Sequence, residues 1–108
     1  MSGVDGVPEH GAGCVRVSRV QALSHADLFR LLPRLVAPAE VRAGTEGMLA
    51  RFADGRRLGI RLEPETGYHL GSLRLRSTRF TLEFEGWLES QIRAFLAHCD
   101  RSLQQGGG

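Results

Sequence analysis

Lysine is absent from this sequence: all 14 of its basic residues are arginine. They are offset by 12 acidic residues, so the formal net charge is only +2. Guanidinium groups suit the recognition of carboxylates and phosphates, but a GC-rich genome also replaces lysine by arginine. The preference for arginine therefore does not by itself indicate a ligand.

Cysteine is also scarce, and apolar runs are short. Cys14 and Cys99 lie far apart in the sequence and form no CxxC pair, which excludes a zinc or thioredoxin-type motif. No apolar run approaches the ~20 residues that a membrane span requires. The first residues have neither the basic nor the apolar region of a secretion signal. We therefore expect a cytoplasmic protein with no membrane partner.

Motifs of catalysis are missing as well. The sequence has no G-x-S-x-G elbow, no phosphate-binding loop and no dinucleotide fingerprint. None of its four histidines has the i, i+4 partner of a helical zinc site. We expect no catalytic residue, no cofactor and no metal, so the chain is predicted not to be an enzyme.

The 108 residues are enough for one domain. Glycine and proline punctuate residues 1–12, which predicts a flexible arm before a single domain at 13–104. Residues 105–108 are predicted to be a flexible glycine tail. Such a tail resembles the Gly-Gly end of sulfur and ubiquitin-like carriers, so a carrier protein that uses this tail is a further functional alternative, although glycine is also the ordinary helix stop.

Two segments have helical periodicity. Ser24 and Asp27 form a capping-box pair before the first, and Pro33 predicts a kink or two short helices because it removes a hydrogen bond at a cost of ~3 kcal/mol. The second is a long C-terminal helix whose apolar stripe comprises Leu88, Ile92, Phe95, Leu96, Cys99 and Leu103.

The central region has the two-residue periodicity of strands. A three-residue loop at 53–55 pairs Ala50 with Leu58 and Met48 with Ile60, so that all four share one face. Further along, the apolar phase changes between Leu75 and Phe80. This change predicts a four-residue loop at 76–79, with Leu75 opposite Phe80 and Leu73 opposite Leu82.

These elements predict a two-layer α+β domain of order β-α-β-β-β-β-α. One face of an antiparallel meander is covered by a kinked N-terminal helix and a long C-terminal helix. Over about residues 14–104 this order resembles the helix-grip domains of START and Bet v 1 type. The resemblance implies binding of a small apolar molecule between the sheet and the C-terminal helix. A ferredoxin-like sandwich is the alternative, but it has two strands between its helices.

The best functional hypothesis is a small binding domain with an apolar groove between sheet and C-terminal helix. Its predicted lining comprises Phe52, Ile60, Leu75, Phe80, Phe95 and Leu96, with Tyr68, His69 and Trp87 around the rim. Core packing is the competing interpretation of the same residues. An unpaired edge strand would also allow a homodimer.

A second hypothesis is an interaction module whose partner is nucleic acid or an acidic protein. It would use a basic sheet face that carries Arg16, Arg51, Arg57, Arg61, Arg74 and Arg76. Nucleic acid is less favoured because the aromatic residues that would stack on bases point the other way. A solvated sheet face explains these arginines without any ligand.

Overall fold

The structure, a computed structural model, describes residues 14–107. The predicted flexible arm at 1–12 lies outside these residues, and so does the terminal glycine. Within the described residues the elements are, in chain order, β1 Cys14–Gln21, α1 His25–Val36, β2 Glu40–Ala43, β3 Gly47–Arg51, β4 Arg57–Leu62, β5 Thr66–Leu70, β6 Leu73–Glu85 and α2 Glu89–Gly107.

The α+β class and the antiparallel sheet are confirmed, but five strands rather than four lie between the helices. That number also departs from the two strands of the ferredoxin-like alternative. The path of the sheet is β1-β6-β4-β3-β2, and β5 also pairs with β6. With 13 residues, β6 is long enough to pair with β1 and β4 over its second half and with β5 over its first.

The hydrophobic core lies on one face of this sheet, beneath both helices. Phe80 and Phe84 on β6 are fully buried, and burial of each such side chain contributes about 1.5–3 kcal/mol. Leu88, expected in the α2 stripe, instead precedes that helix and is 66% exposed. The helices add Leu28, Leu32, Val36, Ile92, Cys99 and Leu103 to the core.

The β3–β4 hairpin has the predicted register. Ala50 pairs with Leu58 and Met48 with Ile60, and all four side chains are buried. Gly55 has a φ of 97°, a left-handed conformation that glycine adopts without steric cost. The turn is therefore the one that the apolar pattern requires.

The N-terminus of α1 has the predicted capping box. Ser24 Oγ accepts a hydrogen bond from the Asp27 backbone N–H at 3.1 Å, and the Asp27 carboxylate accepts one from the Ser24 N–H. The helix is continuous through Pro33, so it does not divide into two short helices.

The predicted loop at 76–79 is wrong. Residues 73–85 form one strand, in which Leu75 pairs with Tyr68 and Phe80 pairs with Leu62 and Arg19. Since alternate residues of a strand point to opposite faces, Leu73 and Leu75 point away from the face that carries Phe80. The apolar phase changes along this strand without a turn.

Thr78 marks the point on β6 where the core ends. Its side chain is buried, and Thr78 Oγ1 donates a hydrogen bond of 2.8 Å to the carbonyl oxygen of Leu23, just before α1. The bond satisfies a buried polar pair and ties the middle of β6 to the start of the helical layer.

We expect Thr78→Val to lower the free energy of unfolding by about 1–3 kcal/mol, because the Leu23 carbonyl loses its buried donor. Urea unfolding followed by the fluorescence of the single tryptophan, Trp87, measures the loss. Thr81→Val is the matched control, since its hydroxyl contacts Ser18 at an exposed position; its effect should stay within about 0.5 kcal/mol. Equal effects of the two substitutions would contradict a stabilising role for the hydrogen bond between Thr78 and Leu23.

Candidate functional site

Strand β5 and the first part of β6 form a two-stranded hairpin, which we call the tip hairpin (residues 66–77). Its strands pair from Thr66–Ser77 to Leu70–Leu73, and a two-residue turn at Gly71 and Ser72 joins them. Gly71 has a φ of 64°, as tight hairpin turns require. On the other edge of β6, β1 ends its pairing at Thr78. The tip hairpin therefore extends beyond the rest of the sheet.

One face of the tip hairpin is apolar. Tyr68 lies opposite Leu75, and Leu70 lies opposite Leu73, so the four side chains are on one side of the two strands. Tyr68, Leu73 and Leu70 are 43%, 58% and 64% exposed. We call these four residues the apolar tip face. None of them belongs to the hydrophobic core.

The reverse face of the tip hairpin is polar and basic. Alternation places His69, Arg74 and Arg76 there, and His69 lies directly opposite Arg74. All three are exposed. Arg76 Nη1 donates to Glu65 Oε1 at 2.8 Å. The two faces thus differ completely in polarity.

Hydrogen bonds fix the base of the tip hairpin to the start of α1. The backbone N–H of His25 donates to Glu65 Oε2 at 2.6 Å, and His25 Nε2 donates to the carbonyl oxygen of Glu63 at 2.7 Å. The His25 N–H and the guanidinium of Arg76 hold the pKa of Glu65 below its ordinary value. Glu65 is therefore a second cap for α1.

The structure separates the nine predicted groove residues. Ile60 and Phe80 are buried in the core and have almost no surface to offer a ligand, and Leu96 is partly buried against the same core. Tyr68, His69 and Leu75 lie on the tip hairpin. The other three residues are in an aromatic cluster that comprises Phe52, Phe84, Trp87 and Phe95.

The aromatic cluster and the tip hairpin lie at opposite ends of β6. Phe84 packs against Trp87 with ring centroids 4.9 Å apart, whereas Tyr68 pairs with Leu75, nine residues earlier on the same strand. At about 3.3 Å per residue, the two places are roughly 30 Å apart. Tyr68 and Trp87 therefore do not lie on the rim of one groove.

Arg56 packs on the aromatic cluster, and this contact was not predicted from the sequence. Its guanidinium carbon lies 4.7 Å from the ring centroid of Phe52 and 4.5 Å from that of Trp87, and Asp54 binds its Nε at 2.8 Å. Trp87 Nε1 donates to the carbonyl oxygen of Arg57 at 2.8 Å. These contacts join the β3–β4 turn to the segment before α2, so we assign the cluster a structural role.

The sheet has a second face, which neither helix covers and which we call the helix-free face. Four of the six predicted basic-face arginines lie there: Arg16, Arg51, Arg57 and Arg61. Glu83 lies 3.2 Å from Arg16 and 4.0 Å from Arg61, and Glu85 lies 3.6 Å from Arg57. Such exposed pairs contribute about 0–1 kcal/mol each. They do, however, neutralise much of the charge that an anionic ligand would need.

The other two predicted arginines, Arg74 and Arg76, lie on the opposite side of β6, on the reverse face of the tip hairpin. Arg51 lies opposite Arg57 on the helix-free face and has no carboxylate within 4.0 Å in the described part of the chain. A depression of about 360 Å³ on that face has carboxylates in its lining, from Glu63 and Glu83. This mixed charge favours a solvated face over a polyanion site.

Neither cysteine thiol among residues 14–107 is activated: Cys14 is exposed, but partial burial and the nearby Glu83 carboxylate raise the pKa of its thiol. Burial raises the pKa of the Cys99 thiol to about 11, so the thiol stays protonated and unreactive at neutral pH. No three His, Cys, Asp or Glu side chains in this range could hold a metal ion together. No helix in the same range is both long and apolar enough to cross a membrane.

No protein-family model, no curated protein and no solved structure matches this chain. Among the surfaces described above, the apolar tip face is the one whose composition departs most from an ordinary solvated surface.

We expect Glu65→Gln to lower stability at pH 7, because the capping carboxylate loses its charge. The folded-state pKa of Glu65 is lowered, so its contribution is present above the unfolded-state pKa of about 4.3 and is lost as the pH falls through the folded value. The urea midpoints of the variant and the parent should therefore converge at acidic pH.

Glu63→Gln is the control for Glu65→Gln. The Glu63 side chain has no ion pair among the described residues, and only its backbone carbonyl contacts His25. If both variants changed the pH dependence equally, the capping role of Glu65 would be refuted.

Proposed function

We propose that this domain is a protein-interaction module that docks through the apolar tip face. The observation that carries the proposal is the inversion of polarity along β6. From Thr78 to Phe84 the apolar side chains point to the helix side, whereas Leu73 and Leu75 point to the other side, where neither helix lies. Those leucines therefore serve no purpose in the core of this domain.

Leaving these side chains in water is unfavourable. Each leucine or aromatic side chain would contribute about 1.5–3 kcal/mol on full burial, and an isolated two-stranded hairpin is marginally stable in water. Here the hairpin is held at its base by Glu65 and Thr78. A surface fixed in this way loses little entropy when a partner covers it.

The chemistry of the face favours a protein partner. A small molecule would need a concave pocket, whereas the two strands of a hairpin present an open surface. An anionic membrane or a nucleic acid would need cationic groups beside the apolar ones. Arg74 and Arg76 are on the reverse face, and Arg79, which is on the same side as the apolar tip face, lies four residues beyond Leu75.

The test is photo-crosslinking in the cell that makes this protein, with a benzophenone amino acid at Leu70. We expect a covalent adduct with a protein, because Leu70 is the most exposed residue of the apolar tip face. The matched control carries the same group at Arg74, on the reverse face, where we expect much less adduct.

Two results would overturn the proposal. One is the absence of any protein adduct from Leu70, and the other is equal yields from Leu70 and Arg74. Either result would mean that the apolar tip face makes no specific contact with a protein.

A further inference from the structure

We infer that the partner covering the apolar tip face is a second copy of this chain, in a dimer with two-fold symmetry. The inference depends on the proposed function, since it names the partner of the same surface. In a two-fold contact each copy presents the same patch. The surface must therefore be complementary to itself in both charge and shape.

The apolar tip face meets the charge requirement. Its four side chains, Tyr68, Leu70, Leu73 and Leu75, include no acidic or basic residue. The charged members of the hairpin, Arg74 and Arg76, point to the reverse face. Two copies can therefore meet over these four residues without bringing like charges together, as long as the exposed Arg79, which lies on the same side of β6 four residues beyond Leu75, stays outside the contact. A face that contained these arginines would repel its own copy.

The backbone geometry meets the shape requirement. The apolar side chains form two adjacent cross-strand pairs, Tyr68–Leu75 and Leu70–Leu73. Two such hairpins can stack with their backbones about 10 Å apart, as the sheets of a β-sandwich do. The contact would place four strands around a small apolar centre, which supplies the second layer that a lone hairpin lacks.

Val20 extends this surface towards the rest of the sheet. It is 52% exposed and pairs with Arg79 on β6, so the side chains of both residues lie on the same side of the sheet as Leu75. Because Arg79 is exposed as well, the contact between two copies centres on the four residues of the apolar tip face and not on Val20. The outer edges of the hairpin are less suitable for strand addition, because Arg74 and Arg76 place charges along β6 where β1 has ended. Stacking of faces is thus favoured over pairing of edges.

The surface is small for a protein–protein interface. Four or five side chains from each copy cover less than the roughly 800 Å² per partner of a standard interface. We therefore expect a weak, reversible dimer, which forms at high protein concentration and dissociates on dilution.

Sedimentation equilibrium of the purified full chain tests the inference. The variant Leu70→Ser/Leu73→Ser removes one apolar cross-strand pair from each copy. Because both copies of a two-fold dimer carry the substitutions, four leucine side chains leave the interface. The dissociation constant should therefore rise by on the order of 100-fold or more. The matched control, His69→Ser/Arg74→Ser, removes the neighbouring cross-strand pair on the reverse face and should leave the constant unchanged. Trp87 fluorescence and circular dichroism confirm that both variants fold.

The outcomes separate this inference from the proposed function. A monomer at all concentrations, with a Leu70 adduct to a different protein in cells, would overturn the second copy as partner and leave the interaction module standing. A dimer that the leucine variant does not weaken would also overturn the inference. A monomer with no protein adduct from Leu70 would overturn both. A dimer that only the leucine variant weakens supports both.

Discussion

The alternation of side chains along β6 is the constraint on which the rest of the structure depends. A strand of 13 residues presents every second side chain to the same face. Between Thr78 and Phe84, this alternation places three apolar side chains and one hydroxyl under the helices. Because β6 also pairs with β1 and β4, it determines the face on which the core of the whole sheet lies.

The same alternation has a different consequence in residues 73–77 of β6, which the helices do not cover. After Thr78 the strand continues for five residues towards its N-terminal end, and there the apolar positions belong to the opposite face. At the other end, Phe84 joins the aromatic cluster, which closes the core with help from Arg56. One end of β6 is thus sealed within the domain, and the other carries apolar side chains that remain available to a partner.

Contacts at its base hold the tip hairpin in place. Glu65 caps α1 and binds Arg76, while Thr78 reaches the backbone before α1. These bonds connect the hairpin to the helical layer instead of leaving it as a free ribbon. An exposed apolar surface that is held in place differs physically from a mobile loop, because less order must be gained when a partner binds.

The sequence was sufficient to predict those parts of the fold that depend on a local pattern, such as apolar alternation or a capping motif, when the core buries the face that this pattern marks as apolar. The β3–β4 register followed from Met48, Ala50, Leu58 and Ile60, which share one face with a three-residue loop but not with a two-residue loop. The α1 cap followed from Ser24 and Asp27.

Other features could not be predicted because their signals depend on the tertiary structure. The phase change after Leu75 was interpreted as a turn, since the prediction assumed that every strand buries its apolar side chains against the same helices. Strand β2 buries little beyond Val41, which is only partly covered, and β5 resembled a loop because of Gly67. The site of Arg56 between two aromatic rings depends on a turn conformation that composition does not reveal.

The most direct test of the account is the pairing of β6 in solution. Nuclear Overhauser effects across the strands of the isotopically labelled full chain measure it. A continuous strand predicts cross-strand contacts between the backbones of Tyr68 and Leu75 and between those of Leu62 and Phe80. Contacts between Leu75 and Phe80, or between Leu73 and Leu82, would show a turn at 76–79. With such a turn, Leu73 and Leu75 would lie in the core, which would contradict the account.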